Sequence, residues 1–383
     1  MSEDEMQKTL TFILFSYLSL FVGNVVREPA PSPPVRRLDC PDTATVCILG
    51  DMMMHSAQIS EGGWRESLRL IRPLLEDATV SIANMEFTLA GKPYSGYPCF
   101  SAPEDYALTA ADCGIDVFLT ANNHITDKGA AGLERTLRFY DRLHDSLGIF
   151  HTGCDSLSAP LFVRANNIRL GIVNATYGTN SGIRGTPVNW LGDTERLRDA
   201  VAASAAASDF TIVLPHWGEE YQARHNASQE STARFLAEAG ADIIIGAHPH
   251  VVQDTASVFV RQETEASGLG KGSGKDGGII PDTPNGATRR VPVLYSLGNA
   301  LSNMSARNTQ LELMARLTLV RDHSGTHLIS TELIWLWCSR PGGLDSRYTV
   351  IPVADYLHHR DLWLNPADHD RMLDTWNRLN FCK

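Results

Sequence analysis

The sequence predicts an α/β layered domain, and three observations support this fold class. Short apolar runs rich in valine and isoleucine alternate with longer segments of helical periodicity. A cluster of polar residues repeatedly follows the apolar run. A hydrophobic content of 43% over 383 residues is ample for a core. We therefore expect one main domain over residues 43–338, with residues 339–383 as a C-terminal extension packed on it.

The strands are predicted from continuous apolar runs bounded by turn residues, a pattern typical of strands buried on both faces. Two longer segments predict antiparallel hairpins: residues 161–175 turn at Asn166-Asn167, and residues 311–337 turn at residues 322–325. Single strands are predicted over residues 45–49, 79–83, 116–119, 210–214, 243–245 and 293–296.

The helices are predicted from the segments between these strands. Asp193 and the threonine after it form a helix start signal, and Gly240 is a stop signal just before the strand at residues 243–245. Helices are predicted over residues 64–76, 131–147, 193–208, 228–239 and 368–379, the last at the surface.

Residues with useful side-chain chemistry follow the predicted strands. In the stretch GADIIIGAHPHVVQ, His248 and His250 come directly after a buried strand. Ligands of open α/β sheets bind at the carboxyl edge of the strands. Alternate spacing on an extended segment allows the two imidazoles to reach neighbouring points, such as two metal ions. The alternative is two loop histidines that share no task, but similar polar clusters follow other strands.

These clusters supply carboxylates, an amide oxygen and imidazoles, which suit borderline divalent metals such as Mn, Zn or Fe. Alone, an acid after a strand is more often a helix cap or a solvated loop residue. The absence of a thiolate disfavours copper or structural zinc. One or two ions could activate a water molecule, and the additional His124 could protonate a leaving group. The candidate set is Asp51, Glu86, Asn123, His124, His216, His248 and His250.

Composition excludes several other classes of protein. The net charge of −11 and the lack of a basic patch argue against a nucleic-acid partner. Seven cysteines, an odd number without a CxxC motif, do not support a disulfide framework or a zinc knuckle. Residues 265–278 are rich in glycine and predict a mobile, protease-sensitive loop. They do not match a phosphate-binding loop, because Asp276 follows Gly274-Lys275.

The N-terminal residues 1–42 predict a membrane anchor or signal segment followed by a spacer. Residues 9–26 carry no charge, and residues 27–34 are rich in proline. The alternative is an ordinary buried helix. We expect the protein to be anchored in the cell membrane with its body outside the cytoplasm.

Six motifs resemble, in order, those of the CapA capsule-synthesis family, which is related to the calcineurin-like metallophosphoesterases. They are Gly50-Asp51-Met52-Met53, Asn84-Met85-Glu86, Ala121-Asn122-Asn123-His124 with Asp127 and Gly129, residues 216–221, residues 246–250 and residues 295–299. The resemblance covers roughly residues 43–300. It implies a metallophosphoesterase-like β-sandwich flanked by helices, in four layers, and a role in making capsule, poly-γ-glutamate or a related polyanionic envelope polymer.

The resemblance also implies roles for individual residues. Asp51 and His250 would bind one ion, Glu86 would bridge, and His124 would be the acid. The second ion would be held by Asn123, His216 and His248. Candidate substrate-binding residues are His55, Asn84, Glu219, Tyr221 and Asn299.

One departure from the phosphoesterase pattern affects the first ion. Met53 stands where that pattern has a histidine two residues after the aspartate. His55 is a possible substitute, and the first site is expected to be weaker.

Three functions remain open from the sequence. The first is a metal-dependent hydrolase or transferase acting on an amide or phosphoester bond of a polyanionic polymer, in a complex with a membrane-bound polymer synthase. The second is a non-catalytic assembly protein for polymer export. The third is a general phosphodiesterase or nucleotidase.

Overall fold

The structure is a computed structural model that describes residues 42–154, 160–182, 185–261 and 288–380. The predicted anchor at residues 9–26 and the glycine-rich segment at residues 265–278 lie outside these ranges. Among the described residues, none of the helices has the length and apolar character needed to cross a membrane.

Thirteen strands are described. Those of the first half are β1 (Asp42–Met52), β2 (Val80–Met85), β3 (Val117–Leu119), β4 (Phe150–Thr152), β5 (Leu161–Ala165) and β6 (Ile168–Thr176). Those of the second half are β7 (Phe210–His216), β8 (Ile243–Ile245), β9 (Thr255–Arg261), β10 (Thr288–Leu294), β11 (Leu311–Asp322), β12 (Gly325–Ser339) and β13 (Thr349–Pro352).

Eight α-helices are described between and after these strands. They are α1 (Ser56–Glu61), α2 (Arg72–Glu76), α3 (Glu104–Asp112), α4 (Gly129–Leu147), α5 (Thr194–Ala207), α6 (Ala227–Ala239), α7 (Val353–Tyr356) and α8 (Pro366–Asn380). Two short 3₁₀ helices lie at Gly63–Glu66 and Arg360–Leu362.

The strands form two mixed sheets: the seven-stranded sheet has one antiparallel side, and the six-stranded sheet has antiparallel strands at both edges. The seven-stranded sheet has the order β13-β12-β11-β1-β2-β3-β4, with β1 to β4 parallel. The six-stranded sheet has the order β5-β6-β7-β8-β10-β9, with β6, β7, β8 and β10 parallel. Parallel pairs need crossover connections. Helices supply them between β1 and β4 and between β6 and β8, whereas β9 lies in the connection from β8 to β10.

Side-chain alternation along the strands creates three core layers. Val46 and Ile48 of β1 pack in a core shared by the two sheets, whereas Cys47 and Leu49 pack against helices on the other face. The second sheet packs its outer face against α5 and α6, for example through Val201. The architecture is a two-sheet sandwich with helices on both outer faces, which confirms the predicted α/β fold class.

Most predicted elements are present within a few residues, including both hairpins with their predicted turns. The helix predicted over residues 64–76 is wrong. A 3₁₀ helix, turns and the short α2 occupy this stretch. The physical reason is Pro73, which lacks an amide hydrogen and would clash with the preceding turn of a continuous helix.

The C-terminal helix was predicted at the surface, and one of its faces is buried. Met372 of α8 is fully buried and packs in a cluster with Trp337 of β12 and Trp363. Strand β13 pairs antiparallel with β12 and so extends the seven-stranded sheet. Residues after 338 therefore contribute both a strand and a packed helix.

The end of β1 depends on a close backbone approach at Gly50. The amide of Asp51 donates a 2.9 Å hydrogen bond to the Gly298 carbonyl. A Cβ atom on Gly50 would lie only 2.0 Å from that same oxygen. Only glycine therefore fits at position 50, and this contact places Asp51 at the sheet edge.

Candidate metal centre

The carboxyl ends of the parallel strands from both sheets meet at one edge of the sandwich. Each strand or the loop after it delivers a side chain to this edge, and all of these side chains are nearly or fully buried. β1 supplies Asp51, β2 is followed by Glu86, β3 by Asn123 and His124, β7 ends at His216, and β8 is followed by His248 and His250. The structure thus brings together the whole set of predicted metal ligands and the predicted acid.

Glu86 lies at the centre of this cluster. Its side chain is fully buried, and neither carboxylate oxygen has a hydrogen-bond partner. Three imidazole nitrogens surround Oε1: Nε2 of His216 and of His250 at 3.8 Å, and Nε2 of His124 at 4.0 Å. A buried carboxylate without a partner is costly, so this position calls for a cation.

Asp51 is held in place by hydrogen bonds on both of its oxygens. Asn84 Nδ2 donates to Oδ1 at 2.7 Å, and the backbone amide of His248 donates to Oδ2 at 3.0 Å. His250 Nδ1 lies 3.4 Å from Oδ2. Burial alone would raise the pKa of Asp51, but hydrogen bonding to His250 and the nearby His216 lower it overall. Asp51 is therefore an anion in this cluster.

His216 and His248 form the imidazole pair beside Glu86, with ring centroids 4.8 Å apart. His216 Nε2 lies 2.8 Å from Asn123 Oδ1, and His248 Nδ1 is buried without a partner. Burial lowers the pKa of His216 to about 3 and that of His248 well below its usual value. Both rings are therefore neutral, as metal ligation requires.

The loop after β8 holds its histidines in unusual backbone conformations. The φ angles are +99° at His248 and +58° at His250, a region that side-chain-bearing residues seldom adopt. Such strain concentrates at functional sites, where the surrounding structure enforces it. Asn299 Oδ1 accepts a hydrogen bond from His250 Nδ1 at 2.9 Å, which leaves Nε2 facing Glu86.

His124 is oriented by a carboxylate behind it. Its Nδ1 lies 2.7 Å from Asp127 Oδ2, which also accepts a hydrogen bond from the Phe100 amide. Because a carboxylate accepts, the bonded Nδ1 carries the hydrogen and Nε2 faces Glu86. The ring also packs edge-on against Phe100, with centroids 4.6 Å apart. This arrangement gives His124 one fixed orientation.

The donor set fits a divalent cation. Three groups of side chains each place their ligand atoms within 4.8 Å of one another: Glu86 with His216 and His248, Asp51 with Glu86 and His250, and Glu220 with His248 and His250. Carboxylate oxygens and neutral imidazole nitrogens are the donors that Zn, Mn and Fe accept. A bound cation would give the unpartnered atoms of Glu86 and His248 the partner that they lack.

Several of the residues predicted to bind substrate instead make hydrogen bonds within the protein. Asn84 and Asn299 are buried and hydrogen-bond the ligand side chains. His55 directly precedes α1, and its Nδ1 lies 3.2 Å from Gln58 Oε1 and accepts from the Asn303 amide. None of the ligand groups among the described residues includes His55. The geometry therefore does not place His55 as a metal ligand in place of the histidine that is missing at position 53.

The loop after β7 carries the remaining predicted residues. Glu219 is exposed and accepts a hydrogen bond from Asn226, the residue before α6. Its neighbour Glu220 is the one that lies near His248 and His250. The Tyr221 ring lies 6.2 Å from that of His250 and is 44% exposed, so it borders the open side of the cluster.

Sequence reasoning missed further residues of the site. Tyr177 follows β6 directly, so its strand-end position was a usable signal, and its ring lies 4.6 Å from that of His248. Glu312 had no such signal, because it lies inside β11. Its Oε1 accepts from the Gly50 amide at 2.8 Å, and burial raises its pKa.

Glu86 predicts a pH dependence for the stability of the metal-free protein. Burial, followed by the charge of Asp51, raises its pKa well above the usual 4.5. Above pH 4.5 the folded state therefore keeps a proton that the unfolded chain has released, so this contribution to stability falls as pH rises. The measurement is urea unfolding of metal-free wild type and Glu86→Gln across pH.

We expect the stability of the variant relative to wild type to rise progressively above pH 4.5, by at most about 1.4 kcal/mol per pH unit. Neutral buried His216 and His248 make the free energy of unfolding rise with pH below about pH 6.5. Both proteins contain these histidines, so comparing the two proteins isolates the contribution of Glu86. The exposed Glu134→Gln is the control. Parallel profiles for wild type and Glu86→Gln would show that Glu86 is not the group responsible.

Comparisons with known proteins give a consistent result. A family model described as bacterial capsule synthesis protein PGA_cap matches residues 45–304. The capsule biosynthesis protein CapA of Bacillus anthracis is 28% identical over 249 residues, which are 60% of this chain and 59% of that protein. The PGA biosynthesis protein CapA of Bacillus subtilis (strain 168) is 30% identical over 146 residues, 37% of this chain and 38% of that protein.

Among solved structures, a calcineurin-like phosphoesterase, YfkN from Bacillus subtilis, aligns with a TM-score of 0.43 at 14% identity. The alignment covers 89% of this chain and 99% of that one. The chain spans less than two thirds of each of the two curated relatives above.

Proposed function

Because this chain belongs to the bacterial capsule synthesis protein family PGA_cap, we propose that it is a metal-dependent hydrolase or transferase of capsule biosynthesis. Its substrate would be a polyanionic envelope polymer, such as poly-γ-glutamate, and the bond an amide or phosphoester. The printed names of the two CapA relatives, capsule and PGA biosynthesis proteins, support this context.

One observation carries the enzymatic part of the proposal. Glu86 is fully buried without a hydrogen-bond partner, and three histidine rings face it at 3.8–4.0 Å. A protein used only for assembly has no need for such a costly arrangement of buried polar groups. Clusters of titratable side chains with strongly shifted pKa values are typical of active sites.

The residues of the cluster divide into binding, positioning and proton-transfer roles. Glu86, His216, His248 and Asn123 would hold one divalent ion, and Asp51 with His250 would form a weaker neighbouring site. When bound, the metal supplies Lewis-acid polarisation of a carbonyl or phosphoryl oxygen. Asn84 and Asn299 position Asp51 and His250 by hydrogen bonds.

His124 would move the proton. Its Nδ1 donates to Asp127, so Nε2 faces the space beside Glu86, where the protonated ring would carry a second N–H. A general acid in this position would donate that proton to the leaving group, an amine for an amide bond or an alkoxide for a phosphoester. Tyr177 and Tyr221, both partly exposed, would border the path of the substrate.

Metal removal tests the proposed activity. Purified protein treated with a chelator should lose cleavage of a polyanionic polymer substrate, because the Lewis acid is gone, and added Mn or Zn should restore it. The readout is the size distribution of poly-γ-glutamate and, in parallel, release of the alcohol product from phosphodiester substrates.

The two substrates also separate the alternative functions. Cleavage of phosphodiesters without any effect on the polymer would replace the proposal by a general phosphodiesterase. Polymer binding without metal-dependent cleavage of either substrate would replace it by a non-catalytic protein of polymer export.

We also propose that residues 9–26 anchor the chain in the cell membrane, with the body outside the cytoplasm and near a membrane-bound polymer synthase. The uncharged run and the proline-rich segment after it support this topology. Cell fractionation should place the chain in the membrane fraction. Protease treatment of intact spheroplasts should degrade the body of the protein. A full-length chain in the cytoplasmic fraction would contradict the proposed topology.

A further inference from the structure

A third group of possible metal ligands lies on the exposed side of the cluster, outside the two ion sites proposed above. Glu220, in the loop after β7, places a carboxylate oxygen within 4.8 Å of ligand nitrogens of His248 and His250. Glu220 is exposed, whereas both histidines are buried. Among the residues that the structure describes, Glu220 is the one exposed member of these ligand groups.

The group of Glu220 overlaps with both inner sites. His248 also belongs to the main site around Glu86. His250 also belongs to the weaker site around Asp51. Neither Glu86 nor Asp51 is a member of the group of Glu220, so an ion held by Glu220 lies at a separate, outer position. Because one histidine is shared with each inner site, an ion can move inward by stepwise exchange of ligands.

Two tyrosines show that both shared histidines lie at the boundary between the buried cluster and the solvent. The ring of Tyr177 packs against that of His248, with centroids 4.6 Å apart, and the ring of Tyr221 lies 6.2 Å from that of His250. Both tyrosines are partly exposed. The side of the histidines that faces Glu220 is therefore also the side that solvent ions reach first.

Backbone hydrogen bonds hold the loop of Glu220 against the loop of the two histidines. The Tyr221 amide donates to the Pro249 carbonyl at 2.8 Å, directly after Glu220 in the chain. The Trp217 amide donates to the Ala247 carbonyl at 3.0 Å, three residues before Glu220. Because the loop is tied down on both sides of Glu220, its carboxylate is kept beside the two imidazoles.

Direct capture of an ion by the inner donors is unfavourable because these donors are buried. Asp51 and Glu86 are fully buried, and His216 is 1% exposed. A divalent cation arrives hydrated, and taking a charge out of water before ligands replace that water is costly. Glu220 can bind the ion while it keeps most of its water. A negative charge at the entrance also raises the local concentration of cations.

We propose that Glu220, His248 and His250 form an outer metal site through which divalent cations enter the buried centre. The inference rests on the metal centre of the proposed function, but not on the reaction or on the polymer. Glu220 binds the hydrated cation first, and the shared histidines then pass it to the inner donors. The outer site is a step on the path and not its end. Glu220 therefore affects the rates of metal binding and release by the same factor and leaves the equilibrium affinity unchanged.

Rapid mixing of the metal-free full-length chain with Mn tests the inference, with a fluorescent Mn indicator to report the free ion. Glu220→Gln removes the charge and keeps the shape of the side chain. Its uptake of Mn should be about 10-fold slower than that of wild type, the lower end of the range by which charge at a cleft raises association rates. Release of Mn into an excess of chelator should slow by the same factor.

Glu219→Gln is the matched control, because it removes the same charge from the neighbouring position of the same loop. Glu219 accepts a hydrogen bond from Asn226 at 3.4 Å and belongs to none of the ligand groups among the described residues. This variant should take up Mn at close to the wild-type rate. Glu220→Asp keeps the carboxylate on a shorter side chain, so its rate should lie between those of wild type and Glu220→Gln.

Three results would overturn the inference. The first is equal uptake rates in wild type and Glu220→Gln. The second is equal slowing in Glu219→Gln, which would indicate a general effect of charge. The third is faster release from Glu220→Gln, which would identify Glu220 as a permanent ligand.

The same experiment separates this inference from the proposed function. A wild-type chain that takes up no Mn would contradict the metal centre and the outer site together. Slowed uptake in Glu220→Gln, in a protein whose wild type cleaves neither polymer nor phosphodiester, would support the outer site and contradict only the proposed reaction.

Discussion

Replacing His216 or His248 by alanine should remove the bound metal while leaving the fold in place. Both imidazoles face the buried Glu86 carboxylate region, and their ring centroids lie 4.8 Å apart, close enough for one ion. Loss of one of three or four ligands weakens a metal site severely, because each ligand contributes a strong bond. Metal analysis of the purified variants after dialysis should show content near zero, against about one ion per chain in wild type.

The fold should survive because these residues lie at strand ends rather than in the apolar cores. Each ring is buried, so we expect a loss of about 1–3 kcal/mol in the free energy of unfolding of the metal-free protein. His323→Ala, in the exposed turn between β11 and β12, is the matched control and should retain metal. Wild-type metal content in both site variants would contradict the proposed ligands.

Replacing His124 by alanine should leave the metal bound and reduce turnover by about 10²–10⁴-fold, the usual contribution of a general acid. His124 Nε2 lies 4.0 Å from Glu86, but Nδ1 is bonded to Asp127, so His124 is oriented for proton transfer. The measurement is the initial rate of substrate cleavage at equal metal content. Loss of metal together with loss of activity would show that His124 is a ligand instead.

Asp127→Asn separates positioning from proton transfer. Asp127 acts through His124, so this variant should retain metal, lose less activity than His124→Ala and shift the pH profile of turnover. An asparagine can present its N–H to Nδ1, which favours the wrong tautomer of the ring. An unchanged pH profile would mean that Asp127 has only a structural role.

The strand-end residues could be predicted from the sequence because the rule that places them is local. A short apolar run predicts a strand, and parallel strands present their carboxyl ends at one edge. Asp51, His216 and His248 therefore came together as expected from the positions of three separate strands. The six ordered motifs also predicted the family, which the match over residues 45–304 confirms.

Features that depend on contacts distant in sequence could not be predicted. Glu312 is the second residue of β11, and only the pairing of β11 with β1 brings it to Gly50, 262 residues away. The choice between Glu219 and Glu220 depends on the φ angles of the loop after β7, which includes +95° at Gly218 and +65° at Tyr221. The sequence does not encode such angles in a readable local pattern.

The weaker first site stays a prediction, and the structure adds a physical reason for it. Met53 is buried in an apolar core and its amide donates to the Leu301 carbonyl, so position 53 supplies no imidazole to a cation at Asp51. Both Asp51 oxygens already accept hydrogen bonds, from Asn84 and from the His248 amide. A cation at Asp51 therefore has fewer free donor atoms than one at His216 and His248.

Anomalous X-ray scattering from crystals of the protein grown with Mn or Zn is the most direct test of the metal centre. Data collected on both sides of the absorption edge locate the ion independently of any assumed ligand. We expect one strong peak bounded by Glu86, Asn123, His216 and His248, with a weaker peak or none beside Asp51 and His250. A stronger peak at Asp51, or no peak within coordination distance of Glu86, would contradict this expectation.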